Sequence, residues 1–237
     1  MQPSLAPTVR SRCMRRGSGG RLLGWQTGVV SSARMPSPPK TSDQAIIAAA
    51  RKLVRQHGRD GFAMSDVASA VGIRAPSLYS RFADRAALVA AVELSLWQEL
   101  GAALARAPHR SQPAATLTEL ARAYRAFAKA NPREYALMFD PRSQRSEEGT
   151  RARTASLSRA LPFFAALVGE ADALVAARVL TPFLHGFVAM ELGGAFRFGG
   201  GLDEAFEHGV ATILAGLSEA HRPRSAAPKN ARKNPPR

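Results

Sequence analysis

From residue 43 onward, apolar side chains recur every three or four positions, and no stretch alternates apolar with polar residues as a strand would. Ile46, Ile47, Ala50, Leu53, Val54 and His57 set the pattern, and Gly58 stops it. A chain patterned this way buries its apolar stripes by packing helix on helix, so the expected class is all-α, with about nine helices. The predicted order is a helix from 43 to 57 and a short helix over 66–71 capped by Ser65 and ended by Gly72. A third helix runs from 75 to about 82, and a fourth spans 85–105 after the cap Asp84. Further helices are predicted over 114–130, from Asn131-Pro132 to Phe139, from Ser146 to 168 with a division at Pro162, over 172–198 with a kink at Pro182, and over 204–220 after Asp203.

Residues 71–82, V-G-I-R-A-P-S-L-Y-S-R-F, narrow the fold further. Helix, glycine turn, helix is the pattern of a helix-turn-helix, here at about 64–83. Leu78 and Phe82 fall one turn apart and can close a small core with Val67, Ala68, Val71 and Ile73 against Ile47, Ala50 and Val54. Pro76, Ser77 and Ser80 then face the opposite way, with Tyr79 and Arg81 on the flanks. A proline in a first turn costs nothing there, because its missing N–H had no helical partner. A helix with small outward residues at its N-terminus can enter a DNA major groove, about 12 Å wide.

The segment resembles the N-terminal domain of the tetracycline-repressor (TetR/AcrR) family of bacterial transcription regulators. The likeness rests on I-I-A-A-A-R-K-L-V-R-Q-H-G, S-D-V-A-S-A-V-G-I, S-L-Y-S-R-F and D-R-A-A-L within residues 42–101. It implies that Ser65, Ser77 and Tyr79 bond backbone phosphates, and that Arg85 adds a charge contact. It also places Ala75, Pro76, Ser80, Arg74 and Arg81 against base edges. The family often carries Ser-Lys-Gly where this chain has Arg74-Ala75-Pro76, and His or Tyr where it has Arg81. With no Asn or Gln to pair with adenine, the expected reading is thymine methyls plus guanine through Arg74 or Arg81, helped by DNA shape.

Charge adds less than the total suggests. Of the formal +15, thirteen charges lie in two acid-free tails, residues 1–40 and 221–237, which are expected to be disordered. The N-terminal tail has the Arg- and Ser-rich composition of a transit peptide, and also reads as a plain extension ahead of a start at Met35. The single cysteine, Cys13, excludes a disulfide framework or a cysteine-rich metal site, and no run of 18 apolar residues suggests a membrane span. Residues 41–85 carry only +3, so a DNA-binding reading rests on motif register.

Residues 102–220 form the expected second domain, after a DNA-binding domain at 41–101. The resemblance implies a homodimer through the last two helices and an apolar effector pocket, for which Phe127, Met138, Phe139, Phe183 and Phe187 are the candidate wall. Y-R-A-F-A-K-A-N-P-R-E-Y-A-L-M-F (124–139) and H-G-F-V-A-M-E-L (185–192) resemble a subgroup with a Trp-His-Gly type C-terminal domain. That subgroup's tryptophan would fall at Thr181. Gly186, Gly193 and Gly194, read as helical, suggest close helix approach. Five scattered histidines and no nucleophile–base pairing argue against an enzyme, and no cofactor or metal is expected. The expectation is thus a cytoplasmic, ligand-responsive repressor that binds a palindromic DNA operator. The alternative is a sequence-neutral DNA-packaging protein, suggested by the basic tails.

Overall fold

The computed structural model describes residues 41–143 and 146–221; the basic tails, with Cys13 and Met35, lie outside the described residues. Ten α-helices run through those residues, with no strand among them. They are α1 (Asp43–His57), α2 (Met64–Ala70), α3 (Ala75–Tyr79), α4 (Arg85–Ala105), α5 (Pro113–Ala130), α6 (Pro132–Met138), α7 (Glu147–Leu157), α8 (Leu161–Val168), α9 (Ala173–Leu192) and α10 (Leu202–Ala220), with one 3-10 turn at Ser158–Ala160.

Local chemistry explains most of these boundaries. Ser42 Oγ accepts from the Ala45 N–H at the start of α1, and Asp84 Oδ1 accepts from the Ala87 N–H at the start of α4. Ser146 Oγ does the same for Gly149 in α7. The end of α2 is a Schellman turn: the Ile73 N–H reaches the Ala68 carbonyl at 3.0 Å while Gly72 takes φ 67°.

Four expected boundaries move. Helix α2 starts at Met64, so Ser65 is not its cap; Ala63 holds that place and its N–H donates to Asp66 Oδ2 at 2.7 Å. Helix α3 ends at Tyr79, since the Arg81 and Phe82 N–H groups both turn onto the Leu78 carbonyl. Helix α9 stops at Leu192 and not 198, because a second Schellman turn closes it: Ala195 N–H donates to the Met190 carbonyl at 2.9 Å, with Gly194 at φ 65°. Gly193 and Gly194 therefore end the helix and do not lie within it. Helix α10 starts at Leu202, which puts Asp203 in its first turn.

Ile46, Ala50 and Val54 lie fully buried on one face of α1 and meet Val67, Leu78 and the partly buried Val71, Ile73 and Phe82. That is the small core the spacing predicts. Burying a residue such as Leu78 contributes about 1.5–3 kcal/mol. Helix α4 then carries the core onward through Leu88, Val92, Leu96, Trp97, Leu100 and Leu104, packing on α1, α5, α6 and α7. Against α7 the approach is close: a Cβ on Gly101 would stand 2.8 Å from Ser156 Oγ, which donates to the Trp97 carbonyl at 2.7 Å.

By length and composition α4 and α9 could each cross a membrane. For α4 the apolarity is spent on the core. Helix α9 is different, for Leu174, Val175, Val179 and Met190 remain exposed on it.

Candidate nucleic-acid interface

The outward face of α3 is small and polar. Leu78 alone of its five residues is buried, while Pro76, Ser77 and Tyr79 stand exposed, Tyr79 by 51%. Arg74 forms the N-cap with an exposed side chain that makes no hydrogen bond or ion pair among the described residues. Ala75 is half-buried, and Ser80 turns its hydroxyl onto the Ser77 carbonyl. Ser65, exposed in the first turn of α2, also has a hydroxyl without a partner among the described residues.

Two of the expected DNA-facing arginines are engaged elsewhere. Arg81 Nη1 donates to the Thr41 carbonyl at 2.7 Å and to Asp43 Oδ1 at 2.9 Å, so its guanidinium ties the end of α3 to the start of α1. Arg85 Nη2 donates to the Arg59 carbonyl and to Asp60 Oδ1, with its guanidinium carbon 5.3 Å above the Phe62 ring. Sequence reasoning overlooked Thr41, Asp43 and Asp60 as acceptors, because these contacts cross 25 to 40 residues. Of the three arginines, Arg74 is the one left to reach outward.

Below the reading head, α6 grips α1. Glu134 is fully buried, and its Oε1 accepts from Arg51 Nε at 2.9 Å and from Arg55 Nη2 at 2.7 Å. Arg51 also reaches Glu99 on α4, and donates to Asn131 Oδ1 at 3.1 Å. Arg133 donates to the last carbonyls of α1, at Arg55 and Gln56. Burial alone would raise the Glu134 carboxyl; the hydrogen bonds and charges of Arg55 and Arg51 outweigh it and hold the group below its ordinary value. This clamp escaped the sequence reading. Its signal was present: Glu134, Leu137 and Met138 share one helical stripe, so an acid sits where the core face runs.

The five residues proposed as an effector wall divide between two ring clusters and the core. Phe139 joins Tyr135, Trp97 and His185, its ring 4.0 Å from the imidazole. Phe183 and Phe187 cluster instead with Phe206, and Phe127 and Met138 are buried in the core. Burial followed by the charge of Arg153 lowers His185, whereas burial pushes Tyr135 up to about 12. The Tyr135 hydroxyl lies 2.7 Å from His185 Nδ1 and 2.7 Å from the Tyr124 hydroxyl, so the three groups form one hydrogen-bonded chain. Thr181, where the subgroup's tryptophan would fall, borders a cavity of about 50 Å³ with Leu104, Tyr124 and Phe164. A second cleft, of about 260 Å³, lies between α4 and α7.

Two family profiles match the chain. "Bacterial regulatory proteins, tetR family" matches residues 46–92, and "Tetracyclin repressor-like, C-terminal domain" matches residues 117–213. Together they span more than half of the chain, and one of them holds the whole helix-turn-helix. The chain belongs to the TetR family. It is therefore a DNA-binding transcription regulator with a helix-turn-helix head and a helical C-terminal body.

Solved TetR-like structures share the fold. A protein of unknown function from Rhodococcus sp. RHA1 is 27% identical, with 78% of this chain covering 99% of that one at a TM-score of 0.65. A TetR variant from Acinetobacter baumannii AYE, in complex with minocycline, is 20% identical over 77% of this chain and 99% of that chain, at TM-score 0.59. A possible TetR family regulator from Streptomyces coelicolor A3(2) is 20% identical over 76% of this chain and all of that one, at 0.58. No curated protein sequence matches. The Trp-His-Gly subtype is not separately distinguished by these likenesses, and Thr181 stands where its tryptophan would fall in this TetR-family member.

Proposed function

We propose that this chain is a ligand-responsive repressor that binds a palindromic operator as a homodimer, with residues 41–101 as the DNA-binding domain and 102–220 as the effector and dimerisation domain. The observation that carries the reading is the α3 face: Arg74, Pro76, Ser77 and Tyr79 are exposed together, and no group among the described residues bonds the polar side-chain atoms of Arg74, Ser77 or Tyr79. Ser65, Ser77 and Tyr79 would hold phosphates, while Arg74, Ala75 and Pro76 meet base edges. Arg81 and Arg85 would act differently from the first expectation, by fixing the head's shape behind that face.

The apolar face of α9 supports the dimer. Val175, Val179, Gly186 and Met190 follow one another at intervals of four, seven and four residues along one side of the helix, and a Cβ on Gly186 would meet nothing within 4 Å. An exposed apolar stripe of this length is the kind of surface a second copy covers. Gly216 on α10 is equally open, which suits close approach of a partner helix. The bound minocycline in a fold relative supports a ligand role for the helical body. A cytoplasmic setting is consistent with this reading.

The test is salt-titrated binding to the DNA upstream of the chain's own gene and to random DNA, with footprinting of the first. A protected inverted repeat and affinity at least about a thousandfold above random DNA are expected. Equal affinities at every salt concentration would favour sequence-neutral packaging and overturn the proposal.

A further inference from the structure

The geometry points to the α4–α7 cleft as the effector site of this chain, and to a small monocarboxylate, paired with Arg153, as its ligand. This deepens the ligand-responsive reading and rests on it. The cleft holds about 260 Å³ and is bordered by Glu93, Trp97, Thr150, Arg153, Thr154 and Leu157. That is just below the usual range of roughly 300–1,000 Å³ for pockets of drug-sized ligands, so the occupant is small.

Arg153 is the unusual member of the lining. Its guanidinium carbon lies 5.4 Å from the Trp97 ring and 5.8 Å from the Phe139 ring. It is half-buried, yet makes no hydrogen bond or ion pair among the described residues. The other arginines without such a partner there, Arg74, Arg106, Arg159, Arg178 and Arg197, are all exposed to water. A partly desolvated cation without a counter-ion is costly, and a planar carboxylate matches its fork of donors. Trp97, Leu157 and Ala90 supply an apolar floor for the rest of such a ligand.

The same wall sets the charge. Glu93 lines the cleft and its Oε1 accepts from the Trp97 indole N–H at 3.5 Å. Arg153 is the one cation of the lining and Glu93 its one anion, so a phosphate or dicarboxylate would meet more repulsion there than a monocarboxylate. Occupation has a route to the head. Arg153 covers Phe139, Phe139 packs on Tyr135 at 5.0 Å, and Tyr135 adjoins Glu134, the residue that holds α1.

The experiment is calorimetric titration of the full chain, without DNA, with three matched pairs: benzoate and benzamide, phenylacetate and phenylacetamide, hydrocinnamate and hydrocinnamamide. At least one carboxylate should bind about tenfold or more tightly than its amide. Arg153→Gln should erase that preference, and Glu93→Gln should tighten the same carboxylate. No carboxylate preference in any pair, or a preference that survives Arg153→Gln, would overturn the proposal. Should Arg153→Gln fail to fold, an unchanged affinity in Glu93→Gln would do so. Because no DNA is present, a negative result leaves operator binding standing, and a failure of operator binding leaves this titration readable.

Discussion

Arg51 on α1 donates through Nε to Glu134 on α6 across 2.9 Å, 83 residues away in the chain. The carboxylate is wholly buried, while Arg51 keeps a fifth of its side chain exposed and Arg55 more than half. Glu134→Gln should therefore cost about 1.5–3 kcal/mol, the range for hydrogen bonds to charged groups, with Arg55 recovering water and limiting the loss. Urea denaturation at neutral pH measures it; a change below about 0.5 kcal/mol would show that the clamp adds no stability.

The same contact makes a prediction for acid. Glu134 is held below its ordinary value, and Asp140 is lowered to about 2, chiefly by its hydrogen bond with Arg142. Folded-state values below the unfolded ones stabilise the fold at pH above the ordinary carboxylate range, and that contribution is lost as pH falls through the folded values. Stability should hold from neutrality to about pH 4.5 and decline steadily towards pH 2. In Glu134→Gln the decline should be shallower, as denaturant midpoints across that range would reveal.

On DNA, Arg74→Ala and Arg81→Ala should now behave differently. Loss of Arg74 should relax sequence preference by about 1–3 kcal/mol at one position of each half-site, read by competition with single-base operator variants. Loss of Arg81 should weaken operator and random DNA alike, because it frees α1 from α3. Tyr79→Phe should also weaken both, by removing a phosphate contact.

Val179 is 46% exposed in the middle of the α9 stripe. Val179→Glu would place a charge in a surface expected to be dry when paired, and should raise the dimer dissociation constant by on the order of a hundredfold. Sedimentation at micromolar concentration should then find a monomer with unchanged helix content. A dimer of wild-type strength would move the interface away from α9.

Gly209 on α10 tests internal packing. A Cβ there would lie 2.4 Å from Cζ of Phe183, so Gly209→Ala must displace the ring and should cost about 1–3 kcal/mol in a thermal or urea melt. Gly186→Ala meets nothing within the chain, and should leave the fold of one copy unharmed.

Much of this architecture was legible in the chain itself. The stripe Leu88, Val92, Leu96 and Leu100, the cap Asp84 and the turn at Gly72 are local signals, and each lies where its spacing predicts. What stayed hidden is long-range. The arginines look alike in sequence, and only the placement of Asp43, Asp60 and Glu134 separates those that hold the fold from Arg74 and Arg153. The end of α9 was misplaced because the apolar run continues through Phe196 and Phe198, while Gly194 turns the backbone before them. The division of the aromatic wall stayed hidden for a related reason, since helical spacing cannot tell two ring clusters from one.

Helix α1 is fastened at both ends, by Arg81 at its start and by Arg133, with Glu134, towards its finish. The head is thus not a detachable cassette. A chimaera that exchanged residues 42–101 for a sequence without counterparts of Arg51 and Arg55 would strand Glu134 as a buried, uncompensated charge. Transplanting the DNA specificity of this chain would require carrying 131–143 along with the helices that touch the DNA, so that the graft brings its own fastening.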